Sequence, residues 1–294
     1  MSGGFVQAVV KNTGGSGGGA VVANADGLIA TGNGSTIIVF AGAAAGNAAV
    51  ANCTDSANTT YKLWVQDTNN TSPNISPCLL WVGKPNASIN SVSVTSTGKT
   101  SIIVIEDNSS NGNVDLAIIN RNQAATAAPT TGNGTPNVAP ESAYAFLYFG
   151  GATVGSSIIV PSGWIALSGP GFSANGANDD VAAGSTVQGM RKAVSTTASF
   201  NAQPTMASGT PTGFDSVLVT LYNNAGGIPT LFKIYSNGSI QANVFSQNVV
   251  LPPGVKYRLG ANNVLQANGT IVTGNSKIKF QSNGQLICNN TIVV

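Results

Sequence analysis

Short apolar runs flanked by turn-forming residues are the dominant pattern of this sequence. Ile37 to Ala45, Ser101 to Ile105 and Phe214 to Leu221 are rich in β-branched residues, and the last run lies between Gly213 and Asn223-Asn224. Runs of roughly four to eight such residues, bounded by Gly or Asn, are typical of strands in a sandwich core. No window shows a sustained helical period of helix-forming residues. The pattern therefore predicts an all-β protein.

The recurrence of these runs predicts one large domain over residues 35–222. We expect an antiparallel β-sandwich of the jelly-roll or immunoglobulin-like kind, because no helical segments separate the runs. Two long Gly- and Pro-containing loops, residues 120–138 and 168–185, are expected at one end of the sandwich, where such domains usually bind partners. The predicted strands are Ser35–Ala43, Thr59–Gln66, Leu79–Val82, Ser91–Thr95, Thr100–Glu106, Ala143–Phe149, Gly155–Val160, Ala198–Asn201 and Ser216–Tyr222.

Residues 1–34 have a different texture, dominated by the run Gly14-Gly15-Ser16-Gly17-Gly18-Gly19. Glycine has little side chain to bury and much backbone entropy to lose on folding. The composition predicts an extended Gly-rich arm. We expect such an arm to become ordered by lying along a neighbouring subunit.

Residues 223–294 repeat a plan of strand, Asn-containing turn and apolar strand. The copies begin at Lys233, Tyr257 and Lys279, some 21 to 25 residues apart. Asn-Gly between alternating apolar residues is a strong hairpin signal, so we predict a region rich in β-hairpins. Thin repeats of this sort usually stack or wrap around partner chains. The region resembles the β-structured shaft or tip segments of phage fibres, and this resemblance implies a homotrimer.

Charge is sparse and unevenly distributed. Only 7% of the residues are charged and the net charge is +2. Residues 223–294 contain five bases and no acid, so the remaining 7 bases and 10 acids sum to −3. Five bases without interleaved aromatic residues make a poor nucleic-acid footprint. We interpret them as solvated or axis-facing side chains and predict no nucleic-acid partner.

The sequence offers little for catalysis. Histidine is absent, which removes the commonest general base and metal ligand. Gly14 to Gly18 matches a nucleophile-elbow pattern but lies in the glycine run, and Thr97-Gly98-Lys99-Thr100 is better explained as a turn between strands. Glu106-Asp107 are neighbours that a strand would point to opposite faces. We predict no catalytic, cofactor-binding or metal-ligating residue and no cofactor.

Two carboxylate positions have structural alternatives. Asp179-Asp180 could ligate a calcium ion together with backbone carbonyls, but a solvated acidic loop is the favoured interpretation. Asp55 is interpreted as a turn former whose side chain bonds the backbone two residues on.

The three tryptophans, Trp64, Trp81 and Trp164, are candidates for a sugar-stacking platform. On sandwich strands a Trp is more often part of the core, and we predict core positions for at least two of them.

Neither a disulfide framework nor a membrane anchor is indicated. Cys53, Cys78 and Cys288 lack the spacing of a framework or a zinc site, and a bridge between Cys53 and Cys78 is the less favoured alternative. The apolar stretch from Ile37 to Phe40 and beyond is interrupted too often for a spanning helix. No basic segment followed by an apolar one begins the chain, so no signal peptide or membrane insertion is predicted.

A family resemblance rests on four segments in order: residues 54–61 (Thr-Asp-Ser-Ala-Asn-Thr-Thr-Tyr), Leu79-Leu80-Trp81, Ser91 to Thr95, and Ile103 to Glu106. They resemble a sandwich domain found in bacteriophage structural proteins and bacterial surface proteins, which usually has Gly where this chain has Ala57. The resemblance implies a non-enzymatic virion or adhesion module. We therefore expect a capsid-decorating or head or tail fibre protein on the virion surface, with other virion proteins and host glycans as partners. The alternative is a carbohydrate-binding adhesin; a glycan-cleaving enzyme has no support in the sequence.

Overall fold

The computed structural model describes residues 4–12, 19–22, 35–43, 50–66, 78–96, 99–108, 114–122, 126–137, 141–181 and 183–222, and nine short strands between residues 239 and 293. Residues 1–223 and 224–294 form two compact units. Apart from one 3-10 turn at Gly155–Ser157, the regular structure in these ranges is β, which confirms the all-β prediction. None of the described segments is a helix with the length and apolar character needed to cross a bilayer.

Two antiparallel sheets are built from the first half of the first unit. Sheet A has the order β1-β8-β3-β6-β5 and sheet B has the order β2-β7-β4. The strands of sheet A are β1 (Phe5–Asn12), β3 (Thr36–Ala43), β5 (Lys62–Gln66), β6 (Cys78–Gly83) and β8 (Thr100–Asp107), and those of sheet B are β2 (Gly19–Val22), β4 (Val50–Asp55) and β7 (Ser91–Ser96).

The second half of this unit forms a third antiparallel sheet, sheet C. Its order is β12-β14-β10-β16-β9, and β13 also pairs with β14. Its strands are β9 (Val114–Asn122), β10 (Glu141–Gly150), β12 (Ile165–Ala166), β13 (Ala177–Asp180), β14 (Ser185–Val194) and β16 (Gly213–Tyr222), and a small pair, β11 (Ile158–Ile159) with β15 (Thr205–Met206), lies beside them.

Sheet A is packed on both faces. Along β3, Ile38 and Phe40 belong to the apolar cluster shared with sheet C, whereas Ile37 and Val39 belong to the cluster shared with sheet B. All eight residues of β3 are buried, as are all eight of β8. A strand buried on both faces needs apolar residues at successive positions, which explains the unbroken run Ile37 to Phe40. The sandwich predicted from sequence thus has a third sheet.

The predicted arm is wrong for two segments of residues 1–34. Strand β1 pairs with β8 along its length, from Phe5 opposite Asp107 to Asn12 opposite Ser101, and β2 pairs with β7. Ala8 and Val10 are buried in the cluster between sheets A and C. Val9, between them, is buried in the cluster between sheets A and B. The apolar run before the glycines is thus buried on both faces, whereas Gly14 to Gly18 lie outside the described residues.

The described part of the loop 168–185 lies along β1 rather than standing free at the end of the sandwich. The Val10 amide donates to the Pro170 carbonyl at 3.1 Å. Gly169 has φ 145°, and a Cβ there would lie 2.1 Å from the carbonyl oxygen of Ala8. Only glycine permits this close approach of two backbones. The loop therefore covers the open edge of sheet A.

The described part of the other long loop, residues 126–137, packs on sheet C. The Asn120 side chain donates to the Thr130 carbonyl at 2.8 Å, and Gly134 forms a bridge with Phe200. These two contacts hold the loop against the body of the unit.

The second unit contains three parallel sheets of three strands each, numbered along the chain. Sheet D is β17 (Ser239–Ile240), β20 (Lys256–Leu259) and β23 (Lys277–Phe280); the others are β18 (Val244–Phe245), β21 (Val264–Ala267) and β24 (Gln285–Cys288), and β19 (Val249–Val250), β22 (Ile271–Val272) and β25 (Ile292–Val293). Partners such as Lys256 and Lys277 are 277 − 256 = 21 positions apart. The chain therefore winds as a solenoid with coils of about this length.

The predicted hairpins are wrong for these strands. Asn283-Gly284 lies between β23 and β24, which belong to different sheets. Strands of two to four residues pair instead in parallel with the corresponding strand of the next coil. Asn-Gly is typical of turns in general and does not specify whether the two flanking strands pair with each other.

Candidate functional site

A small cleft opens between β1 and sheet C. Its volume is about 50 Å³, room for a few waters or one small anionic group. The residues that line it are Phe5, Ser142, Ala143, Tyr144, Ile165, Arg191, Lys192 and Ala193.

Strand register assembles the cleft. Tyr144 of β10 and Ile165 of β12 lie on either side of Arg191 of β14 in the sheet. Phe5 comes from β1, and the Arg191 guanidinium carbon is 4.5 Å from the centroid of its ring. A guanidinium stacked on an aromatic ring keeps its in-plane donors for other partners. This geometry suits Arg191 to bind an oxyanion.

Tyr144 connects the floor of the cleft to sheet A. Its hydroxyl donates to Oδ2 of Asp107 at 2.5 Å, and both residues are buried. Burial raises the pKa of Tyr144, and the negative charge of Asp107 raises it further, while Arg191 acts in the opposite sense. Tyr144 is therefore a protonated hydrogen-bond donor, and its role is to fix the two sheets together beneath Arg191.

Lys192 follows Arg191 on β14, so its side chain lies on the opposite face of sheet C, where Trp164 and Phe200 belong to another apolar cluster. Its Nζ is 5.2 Å from the centroid of Phe200 and 5.9 Å from that of Trp164. Trp164 is 7% exposed, and its indole N–H donates to the Asn201 carbonyl at 2.9 Å. A Trp held in this way is a structural residue that supports the cation, without an open face for stacking a sugar.

The core positions predicted for at least two tryptophans are confirmed by Trp81, which is 3% exposed, and Trp164. Trp64 is half-buried on the edge strand β5, and Lys62 Nζ lies 3.6 Å from the centroid of its ring.

The predicted role of Asp55 is confirmed. Its Oδ1 accepts from the amides of Ala57 and Thr59, both at 2.9 Å, and its Oδ2 accepts from the Tyr61 hydroxyl at 3.1 Å. Among the described non-glycine residues only Asn58 has positive φ, at 56°. The strained position of the turn is thus Asn58, which explains why Ala is tolerated at position 57.

The carboxylates of Asp179 and Asp180 accept hydrogen bonds from backbone amides and a hydroxyl group. Oδ1 of Asp179 accepts from the Gly155 amide at 3.0 Å and from the Thr186 hydroxyl. Oδ1 of Asp180 accepts from the Ala183 amide at 3.0 Å. Within the ranges that the structure describes, no group of three or more acidic, Cys or His residues is placed to hold a metal ion, so nothing here supports the calcium alternative.

The described cysteines do not form a bridge. Cys53 and Cys78 are both thiols and lie in sheets B and A. Burial, and secondarily Asp55, raise the pKa of the Cys53 thiol. This thiol is consequently unreactive.

Thr100 of the turn motif and the adjacent pair Glu106-Asp107 also have structural roles. Thr100 is buried in β8 and donates to the Ser96 hydroxyl at 2.5 Å. Glu106 accepts from the Gln7 amide at 2.7 Å, whereas its neighbour Asp107 accepts from Tyr144. The two adjacent carboxylates therefore serve different partners. Gly14 to Gly18, Thr97 and Gly98 lie outside the described residues.

Sequence reasoning missed the carboxyl of Glu141. This residue is fully buried at the start of β10, and burial raises its pKa to about 8, with Asp115 as a further cause. The available signal was an acid two positions before the apolar run Ala143 to Phe149. Arg121 and Asp215, paired at 3.1 Å on neighbouring strands, were also missed.

Comparisons with protein-family models, with curated proteins and with solved structures found no match to this chain.

Proposed function

We propose that this chain is a non-enzymatic structural protein of a bacteriophage virion, either capsid-decorating or part of a head or tail fibre. The observation that carries the proposal is the nested pairing in sheets A and B, where β1 pairs with β8, β2 with β7 and β3 with β6. This nested pairing supports a jelly-roll arrangement for sheets A and B. Viral capsid proteins and lectins are prominent users of that fold.

The nested pattern would have β4 paired with β5 as its fourth pair. Instead, β5 pairs with β6 and β4 pairs with β7, and the turn held by Asp55 lies between β4 and β5. Sheet C then packs on the outer face of the roll through a continuous apolar cluster. Fold alone does not define function, so the proposal also uses the second unit.

The solenoid unit supports a role in an extended assembly. Its coils pair in parallel with one another, and stacked coils make elongated structures whose length follows from the number of repeats. We propose that the protein acts as a homotrimer that contacts other virion proteins and displays its loops on the particle surface.

Mass spectrometry of purified particles tests this proposal. Particles induced from the source bacterium and banded on a density gradient should contain the chain at a fixed ratio to the major capsid protein. Light scattering of the purified chain should give three times the monomer mass. Absence of the chain from the particles, together with its recovery in the cell-envelope fraction, would contradict the virion role.

A second candidate function is a carbohydrate-binding adhesin. It is favoured by the cleft, where Arg191 lies on Phe5, because a guanidinium stacked on a ring suits the carboxylate of an acidic sugar. Glycan-array binding that is lost in Arg191→Ala and kept in Lys84→Ala, on the exposed surface, would favour the adhesin. No binding by the unchanged protein would remove this alternative.

A further inference from the structure

The solenoid gathers most of the second unit's basic residues on one face of sheet D. In the register of β20 with β23, Lys256 is opposite Lys277 and Arg258 is opposite Lys279. Partners in adjacent strands lie on the same face of a sheet, and so do residues two apart along a strand. These four residues therefore share one face.

The other face of the same sheet is apolar. Tyr257 is opposite Ile278, and Leu259 is opposite Phe280. The pattern continues into β17, where Ser239 lies in register with Arg258 and Ile240 with Leu259. Sheet D thus separates basic from apolar residues completely over β20 and β23. In sequence the bases are 19 or more positions apart between coils, so only the coil length reveals that they are stacked.

This stack has no counter-charge within its own unit. Residues 223–294 contain no Asp or Glu. Neighbouring strands are about 4.8 Å apart, and like charges directly opposite each other destabilise a sheet. A chain that keeps four cations in this arrangement gains from a ligand that brings several negative charges at a similar spacing.

We propose that the basic face of sheet D binds an anionic polysaccharide, a polymer with carboxylate, sulfate or phosphate groups at regular intervals. The face is two strands wide and carries two rows of cations, which suits an extended chain with repeated charges. Nucleic acid is less well matched, because binding of single strands uses aromatic platforms and the aromatic residues Tyr257 and Phe280 occupy the opposite face. This proposal does not depend on the virion role.

Fluorescence anisotropy with the full chain tests the proposal. The probes are labelled heparin and labelled polygalacturonate as anionic polysaccharides, dextran as the neutral polymer and a DNA duplex as the competing class. We expect both anionic polysaccharides to bind with a marked salt dependence, and dextran to leave the anisotropy unchanged. Equal binding of dextran, or the absence of binding to both polysaccharides, would overturn the proposal. Tighter binding of DNA than of either polysaccharide would overturn the choice of ligand.

Charge-matched variants locate the site. Lys277→Gln/Lys279→Gln should weaken binding about tenfold or more and reduce its salt dependence. Lys62→Gln/Lys84→Gln removes the same charge from exposed positions of the first unit and should change the affinity less than about twofold. Lys277→Arg/Lys279→Arg keeps the charge and should keep the affinity. Loss of binding in the Arg variant, or equal loss in both Gln variants, would overturn the assignment to sheet D.

Discussion

The rings of Phe40 and Phe146 stack face to face between sheets A and C, with centroids 5.1 Å apart and planes 6° apart. Both side chains are fully buried. Phe40 comes from the middle of β3 and Phe146 from the middle of β10, so the pair joins the centres of the two largest sheets. This contact therefore lies at the centre of the packing of sheet A on sheet C.

We expect Phe146→Ala to destabilise the first unit by about 3–5 kcal/mol, because the missing ring leaves a cavity in a fully buried layer. Phe146→Leu should cost less, and Ile159→Ala, at a position that is 53% exposed, should cost about 0.5 kcal/mol or less. Denaturant unfolding followed by tryptophan fluorescence measures these changes, since all three tryptophans are in this unit. A Phe146→Ala variant as stable as Ile159→Ala would contradict the prediction.

Gly169→Ala should release the loop from β1. The new methyl group would meet the Ala8 carbonyl at 2.1 Å, in a backbone region with φ 145°, and the backbone strain alone is worth about 1–3 kcal/mol. Gly184→Ala is the matched control, because φ is 61° there and nothing lies within 4 Å of the added atom. Hydrogen exchange at the Val10 amide, which donates to Pro170, should accelerate only in Gly169→Ala. Equal protection of the Val10 amide in the two variants would show that Gly169 does not hold the loop against β1.

Asp55→Ala should destabilise the first unit by about 1–3 kcal/mol, since two backbone amides lose their acceptor. Asn58→Gly should be neutral or slightly stabilising, because glycine adopts positive φ without strain. Thermal unfolding of the two variants beside the unchanged protein measures both effects. If Asp55→Ala unfolded at the same temperature as the unchanged protein, the turn would not depend on this carboxylate.

Glu141 should make stability depend on pH. Its pKa is about 8 in the folded protein against an ordinary value of 4.5, so the folded state keeps a proton that the unfolded state has lost. The contribution of Glu141 to the free energy of unfolding is fully present below about pH 4.5. It falls as the pH rises and is lost above about pH 8. Each pKa unit between the folded and unfolded values corresponds to a contribution of about 1.4 kcal/mol at most.

Glu141→Gln should remove this slope. The variant should gain stability relative to the unchanged protein as the pH rises from about 4.5 to 8, measured by urea unfolding at several pH values. A constant difference between the two proteins across that window would show that Glu141 does not titrate as inferred.

Local chemistry made several features predictable. The hydrogen bonds of Asp55 follow from short-range turn geometry, and the burial of Trp81 follows from its apolar strand. The unbroken apolar run at Ile37 to Phe40 contained a further signal, since burial of every side chain requires a sheet covered on both faces. The sandwich prediction did not use that signal, and the third sheet was missed.

Long-range register was the part that the sequence could not supply. The cleft depends on Phe5 and Arg191, which are far apart along the chain and meet because β1 lies at the edge of sheet A. The predicted hairpins failed for the same reason, because an Asn-Gly signal does not specify which strands pair. The parallel pairing of β23 with β20, one coil earlier, left no trace in that local signal.

The second and third coils of the second unit pair with a register of 21 positions in all three sheets. Tandem duplication of one such 21-residue segment would add one strand, about 4.8 Å, to each sheet. Each added copy of β23 would also extend both rows of cations by one residue. Reach and ligand avidity could therefore evolve together through a single kind of genetic event.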